Sequence, residues 1–103
     1  MEIRKLDEVW TADDKKLGLA QKLYHREGQS DPKLKLYGSY LEVESFDYGD
    51  DYYVPTDFIE GRDAEAGRVY LSVKLQKVLE NTWSRLPDFI ARGNRQEEAL
   101  SEG

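Results

Sequence analysis

Tyr40-Leu41-Glu42-Val43-Glu44-Ser45, then Asp47-Tyr48-Gly49-Asp50, then Asp51-Tyr52-Tyr53-Val54-Pro55, is the stretch that decides the fold class. Its first segment alternates apolar and polar residues, the period of a half-buried strand. Leu41 and Val43 point one way, Glu42 and Glu44 the other. The acidic Gly-containing segment turns the chain. Tyr52 and Val54 then return on the same face as Leu41 and Val43. Pro55 cannot donate to a ladder, so the strand ends there or lies at an edge.

Working outward, Arg68-Val69-Tyr70-Leu71-Ser72-Val73 is a further strand after a loop over Gly61 to Gly67. Between them, Thr56-Asp57-Phe58-Ile59 reads as one helical turn with Thr56 placed to cap it. On the N-terminal side, Glu8-Val9-Trp10-Thr11 is the best part of a first strand. Asp13 and Asp14 favour a turn, because Asp bonds its own backbone and tolerates the left-handed conformation. Leu17 to His25 then reads as a longer strand, with Leu17, Leu19 and Leu23 on one face; a helix is the competing reading for Leu17 to Tyr24, and the short run behind a hairpin-like turn favours the strand. Gly18 inside it predicts a bulge or a close backbone approach. Arg26 to Gly38 is a long polar loop in which Leu34, Leu36 and Tyr37 are placed to tuck over one end of the sheet.

After Leu71 the period changes. Leu75, Val78, Leu79, Thr82 and Trp83 follow helical spacing behind Ser72, an expected N-cap. A helix from about Ser72 to Trp83 should cover one end of the sheet, with Trp83 as its anchor and Trp10 in the core. Leu86 to Arg92 forms a last turn that Gly93 ends. Residues 94–103 carry charge and little that could enter a core, so a disordered tail is expected behind a domain spanning 1–93. No repeat and no low-complexity segment interrupts this order.

The chain has 103 residues, enough for one domain that buries roughly two-thirds of its unfolded surface. It has no cysteine, which removes disulfides, thiolate chemistry and Cys-ligated metal centres. No run approaches the apolar length of a membrane span, and Met1-Glu2-Ile3-Arg4-Lys5 does not open a signal peptide. The expected setting is cytoplasmic. Fifteen Lys and Arg against 21 Asp and Glu leave a net charge of −6. That balance argues against direct binding to DNA or RNA, which requires a positive face.

The order of pieces resembles the PRC-barrel fold: strand, acidic turn, Leu17-Gly18, second strand, alternating hairpin, Tyr53-Val54-Pro55, and a strand entering Leu71-Ser72-Val73. The resemblance is nearest to small stand-alone bacterial members, a DUF2171-like group, with a short helix, a Trp and a Pro after that step; here these are Trp83 and Pro87. It covers about Ile3 to Pro87. It implies a mainly β fold, a small antiparallel barrel with a short C-terminal helix, and protein–protein docking. It supplies no catalytic residue. Arg26 to Gly38 is longer than the family's usual first connection.

The residues themselves offer little chemistry. His25 is the single histidine, and no nucleophile motif accompanies it. Asp47, Asp50 and Asp51 do not follow a calcium-loop spacing, and the solvating hairpin turn is the simpler account. No phosphate-binding glycine pattern is present. No catalytic, cofactor or metal residue is therefore assigned. The tyrosines are the candidate surface. With Leu41, Val43 and Val54 facing inward, Tyr40 and Tyr53 face outward, joined by Tyr70 and by the carboxylates of Glu42 and Glu44. Such a surface either pairs across strands or forms an interface. The expected role is a non-enzymatic interaction or scaffold module docking on a protein partner or on a second copy as a homodimer. The competing reading is a small-ligand-binding barrel with the 26–38 loop as lid.

Overall fold

The structure, a computed structural model, describes residues 3–26, 37–81, 83–93 and 95–102. It is mainly β. The strands are β1 (Arg4–Lys5), β2 (Glu8–Trp10), β3 (Lys16–Arg26), β4 (Ser39–Glu44), β5 (Asp51–Pro55), β6 (Ile59–Asp63), β7 (Arg68–Leu71), β8 (Arg95–Ala99) and β9 (Ser101–Glu102). Two short helices follow β7: α1 (Leu75–Glu80) and α2 (Asp88–Ala91). The main sheet runs β5-β4-β3-β2-β7-β6, and β8 also pairs with β3. β1 and β9 form a separate parallel pair.

The long strand β3 organises this sheet. It pairs with β2 through Gly18 and Leu19, with β4 from Leu19 to His25, and with β8 from Lys22 to Arg26. The register shifts between Val9 and Trp10 against β2, and between Ala20 and Lys22 against β4. The first shift leaves Leu17 out of the ladder and the second leaves Gln21 out, so side-chain parity flips at each. That is why Leu17 and Ala20 are both buried while Leu19 is only half-buried. Strict alternation through Leu17, Leu19 and Leu23 therefore fails where the bulge intervenes. Gly18 meets both halves of its expectation: it adjoins the irregular register, and a Cβ there would run into the Glu44 carbonyl oxygen, with the Glu44 carbonyl carbon 2.8 Å away.

The alternating hairpin forms as the sequence dictates. Leu41 pairs with Val54 and Val43 with Tyr52, across a loop that closes at Glu44 and Asp51. Leu41, Val43, Val54, Val9, Val69, Leu71 and Val78 are all fully buried and build the main core with Leu17. Asp14 takes the left-handed conformation in the first turn (φ 59°). Thr56–Phe58 is a single 3-10 turn, although no side chain caps it.

Several expectations are corrected. The sheet is mixed, because β2 and β7 run parallel with Val9 opposite Val69. It is not a closed antiparallel barrel in its strand order. Ile59–Asp63, part of it assigned to a loop, is strand β6; a register shift between Ile59 and Gly61 lets it pair with β7 despite its glycine. The helix begins at Leu75 behind Lys74, not at Ser72, with no side-chain cap. The chain does not end on a helix: residues 95–99, expected in a disordered tail, pair with β3, and Leu100 is buried in the main core. One apolar residue and an exposed β3 edge offset the charge of this segment. Trp10 is half-buried outside that core, beneath the Arg68 guanidinium at 4.4 Å from its ring. Trp83 is half-buried against Phe58, ring centroids 5.0 Å apart, and packs on the main core.

One buried ion pair ties distant segments together. Arg62 donates to Asp7 through Nε (2.6 Å) and a terminal nitrogen (3.1 Å), and the Arg4 amide adds a third hydrogen bond at 2.8 Å. Burial pulls the Asp7 carboxyl upward, but Arg62 and Arg4 outweigh it and hold it below its ordinary value.

Candidate docking face

The face of β3, β4 and β5 opposite the aliphatic core carries Lys22, Tyr24, Tyr40, Glu42, Glu44, Asp51 and Tyr53. This follows from the register, in which Tyr24 lies opposite Tyr40 and Glu42 opposite Tyr53. Three of the five residues singled out from the sequence, Tyr40, Glu42 and Tyr53, are thus neighbours here. Glu44 shares the face and accepts a hydrogen bond from Gln21 Nε2 at 3.0 Å. Tyr70 does not join them. It lies opposite Trp10 across β2 and β7, where Arg68 stacks on Trp10 and pairs with Glu8 at 3.3 Å.

The tyrosines are less exposed than alternation predicts. Helix α2 lays Phe89 and Ile90 over this face, and with the buried Tyr24 they form a second core. Tyr40 meets the Phe89 ring at 5.7 Å and Tyr53 meets Tyr24 at 6.2 Å. Arg26 stacks over Phe89 at 4.2 Å, and Arg95 donates to the Ile90 carbonyl at 3.0 Å. Part of the patch expected to need a partner is thus covered by the chain's own helix.

What stays open is a cleft of about 340 Å³ between the sheet and the segment leading into α2. Tyr40, Tyr53, Trp83, Arg85, Leu86, Pro87 and Asp88 line it. The Trp83 carbonyl accepts a 2.7 Å hydrogen bond from the Tyr53 amide, which fixes this segment along the outer edge of β5. Burial raises the Tyr40 and Tyr53 hydroxyls above their ordinary range, and it raises Tyr24 to about 12 with help from Glu42 and Glu97. All three stay protonated near neutrality and can donate. Burial also raises the Glu42 carboxyl, with Asp51 and Glu97 adding to the effect and Lys22 opposing it.

A larger cleft, about 600 Å³, is lined by Arg4, Lys5, Asp7, Glu8, Arg62 and Gly67 among others. Its central carboxylate, Asp7, is already engaged by Arg62 and the Arg4 amide. His25 shares a 2.7 Å hydrogen bond with Ser39 Oγ through Nδ1 and a 3.2 Å contact with Glu98 through Nε2. Sequence reading paired His25 with nothing, because Glu98 was assigned to a tail. The trio spans adjacent antiparallel strands, with His25 directly opposite Ser39. These contacts tie β8 to β3 and β4. Among the described residues, no group of three or more His, Asp or Glu is arranged to hold a metal ion.

No family model, curated protein or solved structure matches the chain. Among the described residues, no helix is long and apolar enough to cross a membrane. The acidic surface that the sequence offers at Asp47, Asp50, Asp51, Glu42 and Glu44, with a basic patch as its candidate partner, belongs to a longer block. Residues 37–60 hold seven of the 21 Asp and Glu and none of the 15 Lys and Arg. The hairpin face is thus built from a block with no basic residue.

Proposed function

We propose that this chain is a PRC-barrel-like domain acting as a non-enzymatic interaction or scaffold module, and that it docks on a protein partner through the outer face of β4 and β5. The observation that carries the reading is the cleft between Tyr40, Tyr53 and the Trp83–Asp88 segment. It joins aromatic area to hydroxyl donors, the composition favoured at protein interfaces. Barrel-like curvature is supported by β3, whose bulged course serves three neighbouring strands. A homodimer through an open edge is the weaker mode. The Tyr53 amide on the β5 edge is already bonded to Trp83, and α2 covers the tyrosines that motivated a second copy.

A cleft of this size also fits a small ligand. That favours, as a second reading, a ligand-binding domain; the lid expected from residues 26–38 falls mostly on 27–36, which lie outside the described residues. The test is capture of a partner by the immobilised full chain, compared with Tyr53→Ser and Glu42→Arg variants, together with light scattering. The docking reading expects a monomer whose captured partner is lost in both variants. Capture that survives both variants would overturn it. A co-purifying small molecule seen by native mass spectrometry, and displaced in Tyr53→Ser, would establish the second reading instead.

A further inference from the structure

Resting on the docking reading, we infer that the β4–β5 hairpin tip is an anchor that inserts Phe46 into an apolar notch on a positively charged protein surface. Phe46 is 75% exposed, the most exposed of the large hydrophobic side chains described, and its loop neighbour Tyr48 is 37% exposed. Neither is left out by disorder of the turn. Ser45 is buried; its amide donates to the Asp50 carbonyl at 3.2 Å, and its hydroxyl accepts from the Tyr48 amide at 3.3 Å. Gly49 supplies the left-handed turn (φ 76°). The loop is closed on itself with Phe46 outside, so an apolar ring is held in water by a built structure. An anchor residue at an interface is of this kind: an aromatic, presented in advance, that fills a pocket.

Charge selects the occupant. Asp47 and Asp50 share the loop with Phe46, Asp51 closes it opposite Glu44, and all three aspartates are exposed. Among the described residues, no ion pair involves Asp47, Asp50 or Asp51. Anionic lipid and nucleic acid are repelled by such a tip. A cationic protein surface is attracted: complementary charge speeds the encounter, and burial of the ring lengthens the complex's lifetime.

The probe is a synthetic amphipathic peptide of Leu and Lys, titrated into the full chain and followed by amide chemical shifts. An all-Lys peptide of equal charge serves as control. Shifts should centre on residues 44–51. Affinity should fall roughly tenfold in Phe46→Ser and by a smaller factor in Asp50→Asn, and should weaken steeply between low and high salt. Both positions are exposed, so the variants should keep the wild-type spectrum elsewhere. Equal binding of the two peptides with no effect of Phe46→Ser would overturn the anchor and leave only charge attraction. Shifts confined to Tyr40, Tyr53 and Trp83, unaltered by Phe46→Ser, would overturn the anchor while sparing the docking reading. No shift at the tip overturns it outright; the docking reading is then decided by the capture experiment on Tyr53→Ser.

Discussion

The two faces of the sheet are held by different physics. On one, Leu41, Val43, Val54, Val69 and Leu71 are excluded from water and interlock as aliphatic side chains. On the other, Tyr24, Tyr40 and Tyr53 lie beneath Phe89 and Ile90, ringed by Lys22, Arg26, Glu42 and Glu97. The aliphatic face gains from area removed from water and from close packing. The aromatic face gains from fewer, larger contacts between rings. A seal of the first kind serves stability, whereas the aromatic face is only half covered and keeps an open cleft.

Removing residues 94–103 tests both faces at once, and it should have the largest effect. The truncation strips β8 from β3 and takes Leu100 out of the main core. Leu100 alone is worth about 1.5–3 kcal/mol, before the unpaired β3 edge is counted. Domains of this size hold roughly 5–15 kcal/mol in total. A chain ending at Gly93 should therefore show a far lower denaturation midpoint or lose cooperative unfolding. A midpoint within error of the full chain would show that β8 rests on the sheet without contributing to it.

Leu41→Ala comes next and probes the aliphatic face alone. Deleting a fully buried leucine costs about 2–5 kcal/mol. Because Leu41 is central to the ladder between β3 and β5, the loss should appear as one global transition at lower denaturant. A change in slope with an unmoved midpoint would place the cost in the denatured state instead.

The aliphatic face was legible in the sequence and the aromatic face was not, for reasons that specific residues show. Leu41, Val43, Tyr52 and Val54 announce themselves by period two. Their partners on β3 were half-readable: Leu17 and Gly18 gave the strand and its close approach, but the shift at Gln21 reversed the parity beyond it. A bulge leaves no mark in composition. The second core needed Phe89 and Ile90, which sit in a four-residue helix behind Pro87, too short for any periodicity. The β8 partner of Tyr24 is Glu97, a charged residue with nothing strand-like in its type. Its place is set by a long-range ladder, together with the Lys22 pair at 3.8 Å and the Arg95 contact that holds the Glu97 carboxyl low. Tyr40, Glu42 and Tyr53 were therefore assigned correctly to one face, but what lies over them was not foreseen.

Phe89→Ala should separate the faces. Loss of a buried aromatic costs about 3–5 kcal/mol in a main core. Phe89 lies in a satellite cluster under a single helical turn, so its cost should fall at or below the low end of that range. The effect should be local. Amide exchange should rise in α2 and at Tyr24 and Tyr40, while Val9, Val69 and Leu71 keep their protection. Equal loss of protection on both faces would show that they unfold as one unit and that the distinction is only geometric.

The smallest effect, and the sharpest for the aromatic face, is expected at Glu42. Its folded-state carboxyl titrates above its ordinary value, chiefly because burial disfavours the charge, with Asp51 and Glu97 adding repulsion and Lys22 opposing them. For an acid shifted in this direction the stability contribution is complete below the unfolded value, near pH 4.5, and is lost as pH rises through the folded value. At pH 7 the ionised group therefore weakens the face it occupies. Glu42→Gln keeps an acceptor for Tyr53 and removes the charge, so its thermal midpoint should exceed wild type at pH 7. The gap should close as pH falls below about 4.5, where wild-type Glu42 is itself neutral. A Gln variant less stable at pH 7 would show that attraction to Lys22 outweighs burial, and that this face is held by paired charge rather than by its tyrosines.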